Sequence, residues 1–267
     1  MKLYVKAISS FSGDIDAKAL KGELKTKYSL DTRRQDSFIH LAVYGAQLLK
    51  DKTEISPLDE LFITSGVGNI DVLQRTNKYV CEEKDFIKPF DFINMLGNTT
   101  SYYVSVSLGL RDKNIFEISN RFTYINTLIS VFTSLNSSKK DAILGAIDLA
   151  TNPKEVIKRV LGVDEEVDVT SSVNYQKLSL KSKDAIGEIE FDMKFYTYDE
   201  ILSVVEDAQC EVITSMRCTK LKNNNTGAYF ETIPSSFVNQ ALQNKTDIIY
   251  IDCFEERYKF VKVSAFR

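Results

Sequence analysis

Few residues in this sequence are of the types that make and break bonds. A single histidine, His40, occurs in 267 residues. One imidazole cannot supply a His-His metal pair, and as a general base it needs a second group to orient it, which the surrounding sequence does not offer. Phe38, Leu41 and Ala42 flank it, so a packing or interface histidine is expected. The four cysteines, Cys81, Cys210, Cys218 and Cys253, form no CxxC pair, and none follows a base or opens a helix in a way that would generate a thiolate. They read as packed thiols of a reducing compartment. Neither a metal nor a cofactor is expected.

Two shorter motifs suggest anion chemistry. Ser65-Gly66-Val67-Gly68-Asn69 follows a strand-like run, and glycines there let a phosphate approach the backbone, as in a dinucleotide fold. The third glycine and the acidic residue beyond the next strand are missing, so a plain strand-to-loop turn is the stronger reading. Arg33-Arg34 stand at the expected start of a helix, where they oppose its dipole; this points as much to a partner carboxylate or phosphate as to nothing. Asp164 to Asp168 reads as a solvated loop. The sequons at Asn98, Asn136, Asn224 and Asn244 read as chance matches, because the first residues lack a secretory apolar stretch.

The elements that must hold these residues alternate. A strand is expected over 3–9, then a basic surface stretch to Leu30 and a helix from Asp31 to Asp51 with apolar residues at helical spacing. Strands follow at 61–63, 114–119 and 142–149, separated by helices over 92–108 and 122–135, with a short helix over 154–161. Such alternation favours an α/β layer with right-handed crossovers. The polar stretch 164–172 marks the boundary between two halves, 1–163 and 164–267. The second half reads as strands at 175–180, 185–196, 211–218, 247–253 and 258–265, helices at 198–208 and 235–243, and a turn at Asn223-Asn224-Asn225. No internal repeat is visible.

Composition bounds the function. Hydrophobic residues make up 43% and charged residues 27%, enough for a real core and against disorder. The 34 Lys and Arg against 37 Asp and Glu leave a net charge of −3 with no basic stripe, so nucleic acid is not an expected partner. No apolar run approaches the ~20 residues of a membrane span, and a cytoplasmic location is expected.

Residues 31–150 resemble the N-terminal half of β-ketoacyl synthases, condensing enzymes of the thiolase-like fold. DTRRQDSFIHLAVYGAQLL is similar to the arginine-rich opening and core helix of that family, and LFITSGVGN to its strand ending in Gly-x-Gly. KPFDFINMLGNTTSYYVSVSLGLRDKN resembles the stretch from a Pro-Phe phrase to a Ser-x-x-Leu-Gly-Leu ending. ISNRFTYINTLISVFTSL followed by DAILGAID resembles the nucleophile strand, its helix and the next strand. The implied fold class is α/β, thiolase-like, with a complete N-terminal half and an abbreviated C-terminal half.

In active members a cysteine at the strand-to-helix turn attacks the acyl thioester, and two histidines of the second half assist decarboxylation. The resemblance places the nucleophile position at Asn120 or Arg121, and neither side chain forms an acyl-enzyme. No histidine follows His40. The chain is thus similar to the short chain-length factors of type II polyketide and aryl polyene systems, noncatalytic subunits that pair with an active synthase and, through it, meet an acyl carrier protein. That resemblance implies pairing through Asn114, Ile115, Phe116, Glu117, Ile118 and Ser119, and a tunnel lined or blocked by Phe92, Met95, Leu96 and Phe122. The alternatives are a stand-alone acyltransferase of this fold with an unrecognised nucleophile, and a ligand-binding module using the Gly66 to Asn69 turn.

Overall fold

The computed structural model describes every residue except 14, 151–152 and 222–227. Asn152 and the expected turn at Asn223 to Asn225 therefore lie outside the described residues. The first strand, β1 (Lys2–Gly13), leads through α1 (Ala17–Thr26) to α2 (Ser37–Lys50) and β2 (Glu60–Ser65). Next come α3 (Ile70–Asn77), a π-helical turn (Lys78–Glu82), α4 (Pro89–Met95), α5 (Gly97–Leu108), β3 (Asn114–Ile118), α6 (Thr123–Ser138) and β4 (Ala142–Asp148). After α7 (Lys154–Leu161) follow β5 (Ser171–Ser179), β6 (Gly187–Phe191), α8 (Tyr198–Glu206), β7 (Glu211–Thr214), α9 (Ile233–Asn244), β8 (Ile248–Phe254) and β9 (Arg257–Ala265).

The strands pair in the order β3-β2-β4-β5-β1-β6-β9-β8-β7. Strands β3, β2 and β4 are parallel, and β5 runs antiparallel to both β4 and β1. Counting afresh from β6 gives the same arrangement: β7 and β8 are parallel, and β9 is antiparallel to both β8 and β6. The first half thus has order 3-2-4-5-1. The second repeats it as 2-4-5-1, with no counterpart of β3 among the described residues. The two meet where Lys2–Val5 of β1 pairs with Gly187–Glu190 of β6. Although β5 follows the acidic loop, its partners are β4 and β1, so it completes the first sheet.

Helices sort by which strands they touch. On one side of the first sheet α2 packs on β1, β4 and β5, with α1 and α5 against it. On the other side lies α6, which touches β2, β4 and β9, and α9, which touches β1, β5, β8 and β9. One apolar cluster therefore draws Tyr124, Leu128 and Val131 of α6, Val238 and Leu242 of α9, and strand residues of both halves into a shared inner layer. Beyond the second sheet, Ile201 of α8 packs with Ile249, Ile251 and Tyr258. Strand β5 shows how the pleat serves two layers. Val173 and Tyr175 face α2, whereas Gln176 accepts from the Tyr124 hydroxyl at 2.8 Å and donates to Asn239 Oδ1 at 2.8 Å, joining α6 to α9. The Tyr175 ring fits because Gly45 and Gly145 flank it; a Cβ at Gly145 would lie 2.5 Å from the ring.

Three sequence expectations change. The basic stretch before Leu30 is a helix, α1, capped by Asp16 and buried at Leu20 and Leu24 alone. The helix expected from Asp31 starts at Ser37, where Asp36 accepts from Ile39 N at 3.0 Å; Arg33 and Arg34 lie in the preceding loop and do not oppose its dipole. The helix expected over 92–108 breaks at Leu96, whose extended backbone separates α4 from α5.

Candidate functional site

The C-terminal ends of β2, β4, β7 and β8 and the N-termini of α6 and α9 converge on a buried polar cluster. Strand β4 ends at Asp148. One of its oxygens accepts from Ser65 Oγ at 3.1 Å and Gly66 N at 2.9 Å. The other accepts from the backbone N and hydroxyl of Thr232, at 2.8 and 2.9 Å, where α9 begins. Burial raises the Asp148 pKa, and the four donors oppose that shift. The amide of Gly66 is thereby occupied. A Cβ at Gly66 would also lie 2.2 Å from Glu231 Cβ, so a carboxylate and a glutamate stem fill the space that the glycine turn offered to a phosphate.

Arg217 and Glu231, both from the second half, fill the remainder. The guanidinium contacts Glu231 Oε2 at 3.0 Å and Oε1 at 3.3 Å. It also donates to Leu161 O at 2.7 Å and to Asn120 O at 2.9 Å, in the turn that opens α6. Glu231 further accepts from the Tyr229 hydroxyl at 2.6 Å and from Thr123 Oγ1 at 3.2 Å. Burial, reinforced by the nearby Asp252 and Asp148 carboxylates and opposed by Arg217, pushes the Glu231 pKa up to about 7. Asp252, near the end of β8, is raised by burial as well; it is bonded to Ser215 and accepts from Cys253 N at 2.8 Å. Burial works against the charge of Arg217, but the acidic groups around it outweigh that cost and raise its pKa.

These residues expose a repeat. Ile63-Thr64-Ser65 ends β2 as Ile213-Thr214 ends β7 with Ser215 just after it, and Ile147-Asp148 ends β4 as Ile251-Asp252 lies two residues before the end of β8. Matching strands of the two halves thus carry matching serine-aspartate corners, correcting the expectation that no internal repeat exists.

Neither a protein-family model nor any curated protein matches the sequence. Solved structures do match. A chain of "The ishigamide ketosynthase/chain length factor" superposes with a TM-score of 0.70 at 7% identity, covering 100% of both chains. The ketosynthase ApeO in complex with its chain length factor ApeC from Xenorhabdus doucetiae gives 0.61 at 12% identity, covering 98% of this chain and 99% of that one. The complex AntDE:AntF, described as a type II PKS acyl-carrier protein with its ketosynthase, gives 0.66 at 10% identity, covering 99% of each. This chain has the thiolase-like fold. Strand β5 carries the first half past the boundary expected at residue 163, and the second half has no counterpart of β3 among the described residues.

Within the thiolase-like frame, Asn120 and Arg121 sit in the turn between β3 and α6. Phe122, the next residue, caps α6 in a left-handed conformation (φ 51°) that is strained for a residue with a Cβ. Its ring meets Phe195 of the second half edge-on at 5.5 Å, and Arg121 stacks on Phe254 at 3.7 Å. Thr123 Oγ1 donates to Ser119 O. Of the residues expected to line a tunnel, Phe122 is buried here, whereas Phe92, Met95 and Leu96 lie on and just after α4, Phe92 being 51% exposed. Residues Asn114 to Ile118 form the edge strand β3, followed by Ser119.

His40 is buried in α2 with Nε2 3.3 Å from Thr32 O, and burial lowers its pKa. Cys218 and Cys253 are buried; a bond to Cys253, together with burial, raises the Cys218 thiol far from the thiolate range. Sequence reasoning missed Arg217, Glu231 and Asp252. Among the described residues there is no metal-ligating group of three or more acidic, cysteine or histidine residues, and no helix is long and apolar enough to cross a membrane.

Proposed function

We propose that this protein is a noncatalytic ketosynthase-like subunit that pairs with an active β-ketoacyl synthase in the cytoplasm and shapes its acyl tunnel, meeting the acyl carrier protein through that complex. The observation that carries the reading is the Arg217–Glu231 pair, which is bonded to the turn before α6 where the synthase resemblance calls for a cysteine. A thioester approaching this turn would meet a guanidinium already bonded to Asn120 O.

The edge of β3 and the apolar surface beside it support pairing. Ile118 is 55% exposed, and Phe90, Ile93 and Leu96 of the α4 region are exposed with Phe92. Exposed apolar groups around an unpaired strand edge favour a partner strand. A lasting partner would bury ~2,000 Å² or more.

The test is coexpression with a complete synthase encoded beside it. Equimolar copurification, with aggregation of the chain produced alone, is the expected result; a soluble, stable chain that ignores the synthase overturns the reading. Stand-alone acyl transfer has one supporting contact, the Thr123 hydroxyl beside Glu231. Thr123 is only 1% exposed, however, which keeps an acyl thioester from its oxygen. Intact mass after incubation with acyl-carrier thioesters should show no adduct.

A further inference from the structure

Beside α2, between α1 and α5, lies a groove of about 320 Å³. That is at the small end of the ~300–1,000 Å³ typical of ligand pockets. Its chemistry is two-sided. Leu24, Leu30, Val43 and Val106 contribute apolar lining, and Arg33 and Arg34 contribute positive charge.

The two arginines differ. Arg33 is engaged by Asp31, with Nε at 3.0 Å and Nη2 at 2.7 Å from its carboxylate. Arg34 is not: among the described residues its guanidinium meets no carboxylate and donates no hydrogen bond, and it rests 5.0 Å from the Phe90 ring. Its backbone is left-handed (φ 65°), a conformation strained for a residue with a Cβ, and Asn94 Nδ2 donates to its carbonyl at 3.0 Å. The loop therefore keeps a strained residue whose charge is unspent. Thr32, also in the lining, is 1% exposed with a hydroxyl that has no partner. Lys25 is near enough to help lower the pKa of Asp31, whose carboxylate, engaged by Arg33, also lines the groove. A planar guanidinium with no anion, set beside apolar wall, matches a carboxylate that carries a hydrocarbon tail.

We propose that this groove binds a small amphipathic carboxylate, its head on Arg34 and its tail along Leu24, Leu30, Val43 and Val106. The site is separate from the Arg217–Glu231 cluster and does not depend on pairing with a synthase.

The probe is octanoate, titrated calorimetrically into the full-length protein, alone or with its synthase partner. Saturable one-to-one binding is expected, weakened about tenfold or more by Arg34→Gln. It should also be lost on Val106→Trp, which fills the groove. Both positions are exposed, so unchanged melting temperatures will show that the variants fold. Octylamine, with the same tail and the opposite charge, should not bind. Failure of octanoate to saturate overturns the proposal, as does equal binding by either variant. An acidic peptide that binds through Arg34 where octanoate does not also overturns it.

Discussion

Asp148 and Asp252 lie at or near the C-terminal ends of matching strands, and each is bonded to a serine at the end of the neighbouring strand or just after it, Ser65 or Ser215. Asp148 accepts four hydrogen bonds from neutral groups and forms no ion pair among the described residues. Asp252 shares its surroundings with Glu231 and depends on Arg217 for countercharge. The same short motif is closed locally in the complete half. In the shortened half, an arginine reaches across to Asn120 and Leu161 of the other half. The first corner fixes the end of a sheet; the second joins two halves and fills the space between them.

The comparison is tested most severely at Arg217. Arg217→Met removes the countercharge from two buried carboxylates and should cost about 3–5 kcal/mol in urea unfolding, as expected for a broken buried pair. The double variant with Glu231→Met should recover much of this loss. Glu231 has a folded pKa near 7 against an ordinary 4.5, so the folded state holds its proton more tightly than the unfolded chain. Its stabilising contribution is therefore fully present below pH 4.5 and is lost as pH rises through about 7, by on the order of 1–3 kcal/mol. Thermal unfolding across that window should show the decline, and Glu231→Gln should flatten it. At the other corner Asp148→Asn keeps one acceptor but turns an NH2 toward existing donors, with an expected loss of about 1–2 kcal/mol. Equal losses at Arg217 and Asp148 would erase the distinction. On the outer surface, Phe92→Ser and Ile118→Lys should leave stability within about 0.5 kcal/mol while abolishing synthase copurification; retained copurification would move the interface elsewhere.

Much of the fold was legible because long apolar runs and clear periodicity carried it. Strands β2 and β4 are buried along their whole lengths, and α6 and α9 present apolar stripes to the inner layer. Helix α1 escaped because it buries only Leu20 and Leu24 and carries lysines on its open face. The break between α4 and α5 escaped because it is set by tertiary contact: a Cβ at Gly97 would lie 2.6 Å from the Phe116 ring. The site was read mainly by what it lacks. Arg217 and Glu231 come from irregular segments and meet through the fold, so no helical or strand period marks them. A usable signal was the pairing of Ile-Thr-Ser with a later Ile-Asp, present twice, which the different lengths of intervening chain concealed.

The position of β1 has a consequence for synthesis. It is the earliest of these strands to be translated, yet its neighbours on both sides, β5 and β6, begin at Ser171 and Gly187. At ~5–20 residues per second, Leu3, Val5 and Ala7 wait roughly ten to thirty seconds before either flank is available. During that interval both edges of a nascent apolar strand are open to any other strand the ribosome's surroundings provide, and yield in the cell should follow the capacity of chaperones to shield them.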